Sequence, residues 1–104
     1  MPADTLLDRA LHAIADPTRR QILRALRDVR SESKSPVPKN VTGPCLCAGD
    51  IEERVRLTQP TISHHMAILI KAGLVEATKQ GQWRWYRRNE KAIRQMVKTL
   101  RGKL

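Results

Sequence analysis

The stretch Thr58-Gln59-Pro60-Thr61-Ile62-Ser63-His64-His65-Met66 decides the fold of this chain. It predicts a helix for which Thr58 can act as the N-cap and Pro60 suits the first turn, where a missing N–H costs little. Apolar residues then recur at helical spacing and can face a core; they are Ile62, Met66, Leu69 and Ile70. The side chains left pointing elsewhere are those of Thr61, Ser63, His64 and His65. Such groups crowded at one helix end suit the major groove of DNA.

The residues on either side of this helix predict a helix-turn-helix unit. A short helix is predicted over Ala48 to Val55, with Arg56-Leu57-Thr58 as the turn. The second helix is predicted from about Gln59 to Ala72, and Gly73 provides the usual C-terminal stop. A short helix, a tight turn and a second helix are typical of proteins that place the second helix in a DNA groove.

Two extended runs follow the second helix and predict a β-hairpin. Leu74–Lys79 and Trp83–Arg88 have the composition of strands, and Gln80-Gly81-Gln82 is the predicted turn between them. A hairpin in this position forms a wing, whose basic residues can reach phosphates or a minor groove; they are Lys79, Arg84, Arg87 and Arg88. The aromatic residues of the hairpin are more typical of cross-strand packing than of base stacking. They are Trp83, Trp85 and Tyr86.

Three further helices and one long loop complete the predicted order of elements. Asp4 to Ala15 is predicted to form the first helix, and Asp16 and Pro17 are predicted to open the second as its N-cap and first residue. Asn89 to Leu104 predicts a final amphipathic helix. Ser31–Pro44 lacks periodicity and predicts a loop insertion, either functional or disordered. The predicted fold class is therefore mainly α with a small β-hairpin, a winged helix-turn-helix.

Composition and charge favour a single nucleic-acid-binding domain. Residues 1–104 suffice for one domain, and the absence of Phe indicates an aliphatic core. The formal net charge is +10, and the segment from Thr61 to Leu104 contributes +8 of it, since ten Lys or Arg residues face only Glu76 and Glu90. Such asymmetry is typical of a nucleic-acid binder, and the alternative is a solvated basic surface that only aids solubility.

The sequence favours neither a membrane location nor catalysis. No apolar run approaches the roughly 20 residues that span a bilayer. Met1-Pro2-Ala3-Asp4 lacks the basic and apolar regions of a signal peptide, so we expect a cytoplasmic protein with reduced thiols. We find no paired carboxylates, no nucleophile–base pair and no Gly-rich phosphate loop, and therefore expect that the protein is not an enzyme.

Three segments of the chain resemble the ArsR/SmtB family of winged-helix repressors. They are residues 15–23, which begin Ala15-Asp16-Pro17-Thr18-Arg19-Arg20, residues 57–75, which contain the stretch quoted first, and residues 81–87, Gly81-Gln82-Trp83-Arg84-Trp85-Tyr86-Arg87. The likeness extends over nearly the whole chain apart from the loop insertion. It implies a homodimer in which the first and last helices pair, an imperfect inverted repeat in double-stranded DNA as the operator, and release of the DNA when an inducer binds.

The resemblance also implies which residues contact DNA. On the helix-turn-helix unit the matching positions are Thr58, Gln59, Thr61, Ser63, His64 and His65. Gln59 and Ser63 are expected to reach base edges or phosphates, and Arg84, Arg87 and Arg88 of the wing are expected to anchor the DNA backbone. Phosphate contacts set the register of a protein on DNA, and base contacts set its choice of sequence.

Cys45-Leu46-Cys47 is the candidate inducer site. Two nearby thiolates bind soft ions such as As(III), Cd(II), Zn(II) or Cu(I), and the pair resembles the Cys-x-Cys of arsenite-sensing family members. It differs from that motif because Ala48-Gly49 separate it from Asp50 and no third cysteine follows, which places the pair ahead of the third helix. The alternatives are a redox switch and two small residues without a sensory role.

Other functions remain open at this stage. The chain could be an ArsR-like repressor that responds to no ligand, or a basic protein that binds nucleic acid without sequence preference. It could also be a protein–protein interaction module for which the charge is incidental. A preferred DNA site distinguishes the first from the other two, and binding to any DNA at low salt distinguishes the second from the third.

Overall fold

The computed structural model describes residues 5–28 and 44–104, which form five helices and three strands. In chain order they are α1 (Thr5–Ile14), α2 (Pro17–Arg27), β1 (Leu46–Cys47), α3 (Ala48–Val55), α4 (Gln59–Lys71), β2 (Val75–Gln80), β3 (Trp83–Arg88) and α5 (Glu90–Lys103). This arrangement confirms the predicted winged helix-turn-helix. The predicted loop insertion lies outside the described residues except for Pro44. None of the helices in the described ranges is long and apolar enough to cross a membrane.

The start of α2 follows the predicted capping pattern. Asp16 is the N-cap, and its carboxylate accepts a hydrogen bond of 3.0 Å from the backbone N–H of Arg19. Pro17 occupies the first helical position, where the helix needs no N–H. These two residues turn the chain sharply after α1, so that α1 and α2 pack together and both contact α4.

The ends of α4 are fixed by local chemistry. Gly73 has a positive φ of 77°, which lets Leu74 N–H donate to Leu69 C=O at 3.1 Å and Gly73 N–H donate to Ile70 C=O at 2.9 Å. These two bonds form a Schellman motif, and they confirm Gly73 as the stop. At the other end Thr58 is the N-cap by position, but its side chain makes no capping hydrogen bond; the Thr58 hydroxyl instead lies 3.1 Å from the Thr61 hydroxyl.

The wing is wider than the predicted hairpin because a third strand joins it. β2 and β3 pair antiparallel through a two-residue turn at which Gly81 has a φ of 59°, as a tight hairpin requires. Leu46–Cys47 also forms a short strand that pairs antiparallel with β3, so the sheet order is β1-β3-β2. This strand was not predicted, since the sequence places Cys45 and Cys47 only ahead of the third helix.

Both faces of the central strand β3 are covered. Successive residues of a strand point to opposite faces, and here Trp85 and Tyr86 are both buried. Tyr86 joins the main core between the helices, whereas Trp85 packs with Cys45 and Cys47 in a separate small cluster. Of the residues predicted to turn α4 toward the core, Ile62, Met66 and Leu69 are buried, but Ile70 is exposed and that prediction was wrong.

Candidate nucleic-acid interface

The N-terminal half of α4 presents a polar surface to solvent. Ile62 and Met66 are buried, and their spacing of four residues fixes which side of the helix faces the core. The residues on the other sides are exposed, and they are Thr58, Gln59, Thr61, Ser63 and His64. Five of the six helix-turn-helix residues predicted to contact DNA therefore lie on an accessible surface.

A cleft separates this end of α4 from the wing. Its volume is about 570 Å³, and its walls include Gln59 and Ser63 from α4 and Lys79, Trp83 and Arg84 from the hairpin. Residues at the beginning of α3, among them Gly49, form part of its lining. The cleft thus brings together hydrogen-bonding side chains on one wall and two cations on the other, which suits the edge of a nucleic-acid backbone.

The tip of the wing concentrates positive charge. Lys79 and Arg84 are directly opposite each other in the β2–β3 pairing, and both are exposed. Like charges in such a cross-strand pair repel each other, so the pair favours a bound anion. Within residues 5–28 and 44–104 neither side chain forms an ion pair. These two cations are available for phosphate.

Arg87 and Arg88 do not share this position. They lie at the far end of β3 from the turn, about 10 Å or more from Arg84 at the usual rise per residue. Arg87 Nε donates to Glu76 at 2.9 Å, and Arg88 Nε lies 2.8 Å from a Glu90 carboxylate oxygen. Each arginine thus has an internal acidic partner, and the structure does not group them with the polar end of α4.

His65 is turned toward the corner between α1 and α2. Its side chain is 14% exposed, and its Nδ1 lies 3.2 Å from Arg19 Nη1 and 3.8 Å from Asp16 Oδ2. Burial lowers the pKa of His65 from its ordinary value of 6.5, and the positive charges of Arg19 and His64 act in the same direction, whereas Asp16 opposes them. The expected grouping of His65 with the exposed DNA-contacting residues is therefore not what the structure shows.

The two thiols lie beneath the wing. Cys45 and Cys47 are buried against Trp85, and the Cys47 thiol donates to Asp50 at 3.2 Å. Burial raises the pKa of Cys45, and the nearby Asp50 and Cys47 add to the shift. In the part of the chain that the structure describes, no group of three or more His, Cys, Asp or Glu side chains could hold a metal ion. A tetrahedral zinc site needs four ligands, so this pair would supply half of one.

Comparisons with known proteins agree with this geometry. A family model described as a helix-turn-helix domain matches residues 14–78. An uncharacterized HTH-type transcriptional regulator of Methanocaldococcus jannaschii is 35% identical over 83% of this chain and 81% of its own. The transcriptional repressor SdpR of Bacillus subtilis is 31% identical over 88% of this chain and 84% of its own. An arsenical resistance operon repressor of Staphylococcus xylosus is 33% identical over 84% of this chain and 69% of its own.

A solved structure with the same fold extends over almost the entire chain. The crystal structure of an ArsR family transcriptional regulator superimposes with a TM-score of 0.73 and covers 98% of this chain and 89% of that one, at 19% sequence identity. At this identity the likeness establishes the fold alone. The sequence relatives are transcriptional regulators, which agrees with the expectation that the chain is not an enzyme.

Proposed function

The chain belongs to the ArsR family of winged helix-turn-helix transcriptional regulators, and from that premise we propose that it is a homodimeric repressor released from an inverted-repeat operator by an inducer. Its relatives include repressors, and its helix-turn-helix unit is of the DNA-binding type. The observation that supports the contact surface best is the cleft in which the polar end of α4 faces the cationic tip of the wing.

In this proposal α4 enters the major groove with its N-terminal half. Gln59 and Ser63, which line the cleft, contact base edges or the nearest phosphates, and the other exposed members of the set are Thr58, Thr61 and His64. Lys79 and Arg84 hold phosphates across the cleft. Three residues with internal partners stabilise α4 and β3 from the side away from the DNA; they are His65, Arg87 and Arg88.

The proposed dimer uses α1 and α5, as the resemblance implies. None of the residues of α5, all of which are described, is buried: Ile93 and Met96 pack only partly against the core of the same chain, and Val97 is 55% exposed. A groove of about 350 Å³ runs between α1 and α5, and Leu6 at its edge is exposed. A second copy would cover these apolar side chains and place two α4 helices on one duplex, about one helical turn apart.

The experiment that tests the function separates base contacts from phosphate contacts. The wild-type protein is first used to enrich binding sites from a pool of random duplexes of roughly 30 base pairs, enough for two half-sites one turn apart. We expect an inverted repeat to emerge. Enrichment of a single unrepeated site would contradict the dimer, and no enrichment at all would leave a sequence-blind basic protein as the better description.

Two double variants are then expected to affect DNA binding in different ways, one through sequence preference and the other through salt dependence. Ser63→Ala with His64→Ala is expected to reduce the preference for the enriched duplex over a scrambled one, because removal of each base contact costs about 1–3 kcal/mol. Lys79→Ala with Arg84→Ala is expected to weaken binding to both duplexes equally. It should also reduce the slope of log affinity against log salt by about 1 for each phosphate that the protein no longer neutralises.

The matched control for the wing variant is Arg24→Ala with Arg27→Ala. It removes the same charge from exposed positions of α2, away from the cleft and from the proposed dimer helices. We expect a smaller change in salt slope than for the wing variant. Equal slopes for the two double variants would mean that only the net charge of the protein matters, and the proposed role of the wing would be wrong.

We also propose the thiol pair as the site at which the inducer acts. Cys47 lies in the wall of the same cleft as Gln59 and Ser63, so a ligand that displaces its thiol would disturb the DNA-contacting surface. Two thiols suit a soft ion, with As(III) as the first candidate, since a related protein is an arsenical resistance operon repressor. A disulfide between the two cysteines would act at the same place and is the redox alternative.

Arsenite is expected to release the wild-type protein from the enriched duplex but not the variants Cys45→Ser and Cys47→Ser. Arsenous acid exchanges its hydroxyl groups for thiol sulfurs and releases water, with no net change in protons while the thiols are protonated. Because the pKa of Cys45 is raised, the arsenite needed for release should change little between about pH 7 and about pH 8.5. The measurement is fluorescence anisotropy of a labelled duplex, with a disulfide-forming oxidant as a second arm. If both serine variants respond as the wild type does, the thiols are structural and the inducer acts elsewhere.

A further inference from the structure

Two consecutive arginines close the C-terminal end of α1. The last four carbonyl groups of a helix lack partners within the helix. Here Leu11 C=O accepts from the Ala15 N–H at 2.9 Å, and the other three carbonyls accept from side chains. Arg19 donates to His12 C=O at 3.1 Å and to Ala13 C=O at 2.6 Å, and Arg20 donates to Ile14 C=O at 2.6 Å. Positive charge at this helix end is also favoured by the helix dipole.

The remaining guanidinium nitrogen of Arg19, Nη1, lies next to α4. Arg19 is 7% exposed, and its Nη1 lies 3.2 Å from Nδ1 of His65. A guanidinium group can only donate hydrogen bonds, so Nδ1 of His65 must accept. The imidazole is then neutral, with its proton on Nε2. The contact joins the corner between α1 and α2 to the second turn of the helix that the proposed function places in DNA.

We propose that Arg19 is a positioning residue for DNA binding. Its hydrogen bond to neutral His65 fixes the DNA-contacting end of α4, and this bond is lost when His65 becomes protonated. A protonated imidazole has N–H groups at both nitrogens and no acceptor for Arg19. The like charges of the two side chains would then repel each other at 3.2 Å. This inference rests on the proposed function, since it assumes that α4 contacts DNA.

The charges around His65 determine the direction of the pH effect. Arg19 from α2 and His64 from α4 disfavour protonation, and Asp16 from the α1–α2 corner favours it. Because the pKa of His65 is lowered in the folded protein, its neutral hydrogen bond to Arg19 is essentially complete above pH 6.5 and is lost as the pH falls through that lowered pKa. Simple attraction between a protonated histidine and phosphate would instead strengthen DNA binding as the pH falls.

The test compares the pH profile of DNA affinity for three proteins at constant ionic strength. The variants are His65→Asn, whose side-chain carbonyl can accept from Arg19 without titrating, and His64→Asn, which removes the neighbouring imidazole and leaves the Arg19 contact. Between about pH 7.5 and about pH 5.5, the affinity of the wild type relative to His65→Asn should fall by a factor of about two or more but less than about tenfold, because the pKa of His65 lies below 6.5. His64→Asn should retain a fall relative to His65→Asn, because its His65 still accepts from Arg19. The probe is the duplex enriched by the wild-type protein.

A second measurement needs no DNA and works on the wild type. Nitrogen-15 NMR of the histidine rings should show His65 neutral at pH 7, with the proton on Nε2 and a bare Nδ1. A proton on Nδ1, or superimposable affinity profiles for the wild type and His65→Asn, would overturn the inference. Failure of the wild type to bind any duplex would instead overturn the proposed function, and the tautomer would still show whether the Arg19 contact exists.

Discussion

Replacing Trp85 with alanine is expected to lower the free energy of unfolding by about 3–5 kcal/mol, the usual loss for a large aromatic residue in a core. Trp85 is 1% exposed and stands on the central strand β3, opposite Cys47 on one side and Thr78 on the other. Its removal would leave a cavity beneath the wing and expose the thiol cluster. Urea denaturation at a fixed protein concentration measures the loss, because the proposed dimer makes stability depend on concentration.

The matched control is Trp83→Ala. Trp83 is on the same strand two residues earlier, but it is 40% exposed at the edge of the cleft. Loss of the same side chain there should change the free energy of unfolding by about 1 kcal/mol or less. If the two variants lose similar amounts, Trp85 does not anchor the sheet in the way that its burial indicates.

Replacing Arg19 with methionine is the second change with a large expected effect, a loss of about 3 kcal/mol. Methionine can fill much of the space, but it leaves His12 C=O and Ala13 C=O without their donors. Loss of the donor to Ala13 C=O leaves a buried polar group unsatisfied, which costs about 1–3 kcal/mol, and loss of the bonds to the partly buried His12 C=O and to His65 adds to this cost. Thermal or urea unfolding measures the effect.

Arg20→Met is the control for this prediction. Arg20 is exposed, and its side chain donates to Ile14 C=O, which water can reach when the arginine is removed. We expect a loss of about 1 kcal/mol or less. A loss for Arg20→Met as large as that for Arg19→Met would show that the general charge at the end of α1, and not the buried geometry of Arg19, provides the stability.

The helices could be predicted from the sequence because their signals are local. Asp16 followed by Pro17 fixes the start of α2, and Gly73 fixes the end of α4, through bonds to residues only a few positions away. The bounds of α3 and β3 were predicted to the residue. The exposed polar residues of α4 were recognisable for the same reason, since their position follows from the helical spacing of Ile62 and Met66.

The rest depends on partners far away in the chain. β1 has two residues, too few for any periodicity, and it exists because Leu46 and Cys47 pair with Tyr86 and Trp85. The burial of Arg19 could not be predicted, because a charged residue enters a core only where tertiary structure supplies acceptors.

The internal partners of the wing arginines could not be predicted for a similar reason. By sequence alone, every cation of the hairpin is a candidate phosphate anchor, but the strand register pairs Arg87 with Glu76. It leaves Lys79 beside Arg84 at the tip. The direction of His65 depends in the same way on Arg19, which is 46 positions distant. From the residue pattern of α4 alone, His64 and His65 are equivalent candidates for DNA contact.

The two tryptophans differ in burial, so their fluorescence reports on two different parts of the protein. With one indole in an apolar cluster and the other at the mouth of the cleft, the chain contains one emitter sensitive to unfolding and one sensitive to whatever enters the cleft. Each can be silenced separately by a change to phenylalanine. Quenching of tryptophan fluorescence by a soluble quencher such as iodide would then distinguish two kinds of ligand without any attached dye. A ligand that binds in the cleft would protect Trp83, and one that disrupts the packing beneath the wing would expose Trp85.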